Sequence, residues 1–101
     1  MLARTVWKPS TEGYGLTVSQ TAVLLDTMLA VPDDARRVLI QVTTANVRMR
    51  SDGTSPASGV GLLLQAGNEY VFEGFDYMKA LKFVREDSTS ALLNVQYSKA
   101  E

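Results

Sequence analysis

The side chains that could do chemistry in this 101-residue sequence are carboxylates, lysines, arginines and tyrosines, because it contains no histidine and no cysteine. That absence excludes Ser–His and Cys–His nucleophile pairs and the usual zinc sites. A carboxylate pair acting as acid and base would have to face one cavity, whereas the adjacent Asp33 and Asp34 follow Pro32 in a predicted turn and should face water. We therefore expect no enzyme, no catalytic residue, no metal site and no cofactor.

A basic cluster is the most distinctive chemical feature of the chain. Residues 36–50 carry +4 on an otherwise acidic chain of net charge −1, and they contain no acid; the four bases are Arg36, Arg37, Arg48 and Arg50. Arg48 and Arg50 would project from one strand face about 7 Å apart. They could bind an acidic partner surface or pair with acids such as Glu69 or Glu73. The overall negative charge argues against nucleic acid as the partner.

Three other motifs carry little specific chemistry. Asp52-Gly53-Thr54 lacks the spacing of a calcium loop and predicts a tight turn with a positive φ at the glycine. Gly59-Val60-Gly61 has no following helix pattern or third glycine, so it is not a dinucleotide fingerprint. Trp7 is the only tryptophan. It could cover the core or anchor a partner, since tryptophan is enriched at interface hot spots.

The arginines lie in a stretch that predicts two strands joined by a corner. Apolar side chains occupy even positions from Val38 to Val42 and odd positions from Ala45 to Met49. Side chains alternate across a strand, so this change of parity requires a bend or bulge near Thr44–Asn46.

The N-terminal third is harder to assign. Residues 1–14 should form an arm or an edge strand, with a strand at 5–8 ended by Pro9 and a turn over 10–13. We assign residues 15–101 to a single domain. The stretch 15–25 has β-branched residues that favour strands, although a helix near Leu25–Leu29 is a real competitor.

The rest of the chain alternates short strands with turns. Strands are predicted over 62–64, 69–73, 81–85 and 91–97, with one helical turn at 77–80 capped by Asp76. Seven or eight short strands with turns about every ten residues predict an all-β fold. We expect an antiparallel β-sandwich that is jelly-roll-like or immunoglobulin-like in its connections. No segment reaches the roughly 20 apolar residues of a membrane span, and the first ten residues have no apolar signal-peptide core.

Parts of this pattern resemble a group of small proteins encoded among the virion genes of tailed bacteriophages. The similarity covers about residues 15–98 and rests on strand and turn residues. Its segments are Arg36–Val42, Thr44–Arg50, Asp52-Gly53-Thr54 with Pro56, Gly61–Leu64, Ala66-Gly67, Phe83 with Arg85, and Leu93–Tyr97.

The resemblance implies a non-enzymatic structural protein of the virion, a capsid decoration or cement protein on the outside of the head. Its partner would be the major capsid protein, and such proteins often form trimers, so a homo-oligomer is expected. Trp7, Arg48 and Arg50 are the candidate partner-binding residues. The alternative is a tail-associated or carbohydrate-binding β-sandwich, for which Tyr14, Trp7 and Tyr77 are the candidate aromatic side chains.

Overall fold

The structure is a computed structural model that describes residues 7–100. Within that range the chain forms eight β-strands and two short helices. The strands are β1 Trp7–Val18, β2 Val23–Leu24, β3 Arg37–Thr43, β4 Val47–Arg50, β5 Leu62–Leu64, β6 Glu69–Glu73, β7 Lys82–Arg85 and β8 Ala91–Ala100. The helices are α1 Leu25–Met28 and α2 Phe75–Ala80.

The strands form two four-stranded antiparallel sheets. Sheet 1 has the order β1-β8-β3-β6, and sheet 2 has the order β2-β7-β4-β5. Strand β1 pairs with β8, β2 with β7, β3 with β6 and β4 with β5, as in one long hairpin rolled up across two sheets. This is the jelly-roll connection. The predicted antiparallel all-β sandwich is confirmed, and of the two predicted connection patterns the strand order is that of the jelly roll.

The predicted corner joins the two sheets. Strand β3 lies in sheet 1 and β4 in sheet 2, and the buried parity changes from even to odd between them. Thr44 makes the turn with a φ of 75°. Asn46 then links this corner to two other connections between the sheets. Its Oδ1 accepts from Ala66 N, between β5 and β6, at 2.8 Å, and its carbonyl accepts from Glu86 N, between β7 and β8, at 3.0 Å.

The inner faces of both sheets form one hydrophobic core. Its largest fully buried side chains include Ile40, Val38, Val42, Leu93 and Tyr97 from sheet 1, Met49, Val47 and Phe83 from sheet 2, and Leu25, Met78 and Leu81 near the helices. The Tyr97 hydroxyl donates to the carbonyl of Leu29 at 2.6 Å, so its polar atom is satisfied inside the core. Burial raises the pKa of Tyr97, and the hydroxyl therefore stays protonated and remains a donor.

Strand β1 corrects the prediction for the N-terminal arm. Residues 1–6 of that arm lie outside the described residues, but Pro9 does not end the strand and residues 10–13 are not a turn. Proline is tolerated because β1 is an edge strand. Two register shifts, between Pro9 and Glu12 and between Gly13 and Leu16, let the strand follow β8 for its whole length.

The helices correct two further predictions. Predicted strand residues 21–25 reduce to the two-residue β2, and α1 follows directly, so the competing helical pattern was right from Leu25 to Met28. The second helix begins at Phe75 rather than Tyr77, and Asp76 is not its cap. Gly74, with a φ of 103°, occupies the N-cap position without a side-chain hydrogen bond.

The corner at Thr44 generates a stability prediction. A β-branched residue with positive φ is strained by about 1–2 kcal/mol, and the added chain entropy of glycine offsets about 0.5–1 kcal/mol of that gain. Thr44→Gly should therefore raise the free energy of unfolding by about 0.5 kcal/mol, measured by urea denaturation.

The matched control for this prediction is Thr17→Gly, at an exposed position in the regular part of β1. It should lower the free energy of unfolding by about 0.5–1 kcal/mol, because glycine in a strand loses more entropy on folding. Equal destabilisation by the two substitutions would show that Thr44 is not strained.

Candidate functional site

Arg48 is held by an acid of its own chain. It forms an ion pair with Glu86 through Nε and a second contact from Nη2 to Oε1 at 3.3 Å, while Nη1 donates to the Gly61 carbonyl at 3.0 Å. The compensating acid is therefore Glu86, and not Glu69 or Glu73 as suggested from the sequence. At least four-fifths of the surface of each side chain in this pair is covered by the rest of the protein.

Glu86 fastens the loop between β4 and β5, residues 51–61, to sheet 2. Its carboxylate also accepts from Gly59 N at 3.3 Å, and its carbonyl accepts from the Ser58 hydroxyl at 2.9 Å. Pro56 in the same loop is buried. The hydrogen bond from Arg48 is the main reason that the pKa of Glu86 lies below its usual value; burial opposes this shift and the Gly59 N–H adds to it.

Arg50 pairs locally with Asp52. The two side chains form an ion pair, with Arg50 Nε also 3.2 Å from Asp52 Oδ1, and Thr54 N donates to that same oxygen at 3.1 Å. Gly53 has a φ of 85°, which confirms the predicted tight turn. Hydrogen bonding from Arg50 lowers the pKa of Asp52. Arg48 and Arg50 are thus neutralised by acids that follow the basic stretch in the chain, whereas Arg36 donates to the backbone carbonyls of Asp33 and Ala35.

Trp7 packs on its own domain. The guanidinium carbon of Arg37 lies 4.5 Å from the centroid of the Trp7 ring, a cation–π contact on the outer face of sheet 1. The tryptophan is half-buried in this position. The structure therefore separates the three predicted partner-binding residues: Arg48 and Arg50 lie on sheet 2, and Trp7 lies on sheet 1.

Exposed apolar side chains lie at the β5 edge of sheet 2, next to the arginines, and they were not predicted; the adjacent Leu62 and Leu63 project from opposite faces of this edge strand. We call Val60, Leu62 and Leu63 the β5 edge patch; their exposed fractions are 47%, 61% and 37%. A groove of about 320 Å³ runs beside Leu62 and is also lined by Arg50 and Asp52. The signal in the sequence was the run of three leucines, but only sheet order shows that their strand lies at an edge.

A polar row crosses the outer face of sheet 1. Asn94 of β8 accepts from Gly15 N at 2.9 Å and donates to Gln41 of β3 at 2.9 Å, and Gln41 lies 3.5 Å from Glu69 of β6. The row therefore links all four strands of the sheet.

A second pair of hydrogen bonds adjoins this row. Glu12 accepts from the Tyr14 hydroxyl at 2.7 Å and from Gln96 at 2.6 Å. The bond from Tyr14 is the main cause that lowers the pKa of Glu12, and the same bond raises the pKa of Tyr14. At neutral pH the phenol is therefore a donor and the carboxylate is charged.

Within residues 7–100 no group of three or more acidic side chains is placed to hold a metal ion. In the same range, neither helix has the length and hydropathy to cross a bilayer. No family model, curated protein or solved structure matches this chain. The resemblance to phage virion proteins and the function drawn from it remain predictions.

The Glu86 contacts generate a pH-dependence prediction. Because the folded-state pKa of Glu86 is lowered, the stability it contributes is present above its unfolded pKa, near 4.5, and is lost as pH falls through the folded-state pKa. Glu86→Gln should lower the urea midpoint at pH 7. The difference from the wild type should shrink progressively below pH 4.5.

The control for this experiment is Asp87→Asn, which alters an exposed neighbouring carboxylate. Its free energy of unfolding at pH 7 should stay within about 0.5 kcal/mol of the wild type. A constant difference between Glu86→Gln and the wild type from pH 7 to pH 3 would contradict the role of the ionised carboxylate.

Proposed function

We propose that this chain is a non-enzymatic structural protein of a bacteriophage virion, a decoration protein that docks on the outside of the head and stabilises it. The observation that carries the proposal is the β5 edge patch. It combines exposed leucines with the open edge of a sheet, and both features favour docking against another protein surface.

The edge itself offers a docking geometry. Strand β5 pairs only with β4 among the described strands, so the other side of its backbone is open to a partner. Leu62 and Leu63 supply apolar area there, and the ion pair of Arg50 with Asp52 supplies charge at the margin of the groove. Charge at the rim of an interface sets orientation and association rate more than affinity. Arg50 therefore belongs to the proposed contact, whereas Arg48 supports it by holding Gly61 in place.

The loop of residues 51–61 is held in one conformation, which suits a contact that is repeated many times on a capsid lattice. A loop held by hydrogen bonds to Glu86 loses little conformational freedom on docking, so less of the interaction energy is spent on ordering. Many copies on one shell tolerate weak individual contacts. Jelly rolls also occur in viral capsid domains, although this is an analogy of fold and not of function.

We propose further that the chain acts as a homo-oligomer on the shell, with a trimer as the first expectation from the resemblance. The major capsid protein would be the partner, and the virion exterior its location. Sedimentation of the isolated chain, and of the chain bound to shells, would measure the number of copies per site.

The first experiment is to look for the chain by mass spectrometry in purified virions of the phage that encodes it. Its absence from the particle would reject the proposal. The second uses shells that lack the chain and adds it back as purified protein, with binding measured by co-sedimentation.

The double variant Leu62→Ser/Leu63→Ser should bind these shells at least about tenfold more weakly. Burying a leucine fully is worth about 1.5–3 kcal/mol, and about 1.4 kcal/mol corresponds to tenfold in affinity. The matched control is Val71→Ser, an exposed apolar position in β6 at the edge of the other sheet. Equal binding by the double variant and the control, with both folded, would show that docking does not use the β5 edge patch.

A further inference from the structure

We propose that the outer face of sheet 1 is a carbohydrate-binding site for a neutral glycan, with Tyr14 as the stacking platform. This activity is additional to shell docking and does not depend on it. The site lies on the opposite sheet from the β5 edge patch, so both surfaces could be occupied at once.

The first support is the chemistry of the groove on this face. It measures about 110 Å³, and its lining combines polar side chains with apolar ones: Tyr14, Gln41, Glu69, Asn94 and Gln96, together with Leu39 and Val95. Amides offer donors and acceptors together, and carboxylates accept from hydroxyl groups. A sugar presents hydroxyls around its ring and C–H groups on its faces. The groove therefore matches both kinds of sugar surface, the polar edge and the apolar face.

The second support is the aromatic side chain. Tyr14 is 66% exposed, the highest fraction among the exposed large hydrophobic residues of the described chain. Its hydroxyl donates to Glu12, so the phenol is tied at one end while the ring stays open to solvent. Because the hydrogen bond to Glu12 already restricts the Tyr14 side chain, little further side-chain entropy is lost when a ligand packs on the ring.

The third support is preorganisation. Asn94 is held from both sides, by Gly15 N and by Gln41, and Gln96 is held by Glu12. These amides therefore keep their orientation before a ligand arrives. Orientation that exists in the free protein reduces the cost of binding.

The charge of the groove selects against other ligands. Glu69 lines it and Glu12 adjoins it, and no lysine or arginine from residues 7–100 lines this groove. Phosphate-rich and anionic ligands would meet carboxylates without a compensating cation, which disfavours nucleic acid, anionic lipid and acidic polysaccharide. A neutral polyhydroxylated ligand fits both the charge and the hydrogen-bonding groups.

The span of the polar row across the strands, rather than the small volume of the groove, favours an oligosaccharide over a single sugar. Tyr14 and Glu69 belong to the two outer strands of sheet 1, whose backbones lie about 14 Å apart at a spacing of about 4.8 Å per strand. A ligand that follows the polar row would lie across the strands and extend beyond the groove. The polar row would then contact successive sugar units.

The test is binding of the full chain to an array of neutral and acidic glycans, followed by titration calorimetry with the neutral oligosaccharides that bind. Tyr14→Ala should weaken binding of these neutral glycans at least tenfold, whereas Tyr14→Phe should keep most of the affinity because it retains the ring. Circular dichroism and the urea midpoint establish that each variant is folded.

The matched control is Tyr77→Ala, which removes another exposed tyrosine; this one packs at 5.9 Å from the Phe72 ring, away from the groove. It should bind neutral glycans like the wild type, and so should Leu62→Ser/Leu63→Ser. The proposal is overturned if no glycan binds, if only acidic glycans bind, or if folded Tyr14→Ala binds as well as Tyr77→Ala. None of these results bears on shell docking, which depends on the other sheet.

Discussion

The strict alternation of side chains across a β-strand is the constraint on which this structure depends. A jelly roll passes its chain repeatedly from one sheet to the other, and each sheet has a single inner face. Between Val42 and Val47 the buried parity must change, and the chain makes this change with the positive φ of Thr44. Hydrogen bonds to Asn46 then hold three connections between the sheets together: β3–β4, β5–β6 and β7–β8. The positive φ at Thr44 therefore allows the apolar side chains of both β3 and β4 to face the same core.

The sequence predicted those parts of the fold that depend on local alternation and turn chemistry. The corner, the Asp52-Gly53 turn and the buried face of the last strand follow from residues that are neighbours in the chain. Strand β1 could not be predicted in this way. Its passage through Pro9 depends on its position at a sheet edge and on two register shifts against β8, which are properties of pairing.

The same distinction applies to the candidate sites. Arg48 and Arg50 were identified from their spacing, yet their partners differ in kind. Asp52 is two residues from Arg50, whereas Glu86 is 38 residues from Arg48 and reaches it only through the pairing of β4 with β7. A charge count over residues 36–50 includes neither acid, because Asp52 and Glu86 both follow that stretch. The polar row on sheet 1 is likewise assembled from four strands that only the register aligns.

The two proposed surfaces differ in what the fold requires of them. The Arg48–Glu86 contacts hold residues 51–61 against sheet 2, so they have a structural role whether or not a partner binds nearby. The outer row of sheet 1 has a smaller structural role: Asn94 accepts from Gly15 N where the register of β1 shifts, and its other contacts join side chains to one another. Hydrogen bonds between side chains that water can reach contribute little net stability, and Gln41, Asn94 and Gln96 are each only partly buried. Threonine or valine at these positions would also suit a strand. Folding accounts for the ordering of Asn94, which binds the backbone of β1, but less fully for that of Gln41 and Gln96; the proposed ligand would use their orientation.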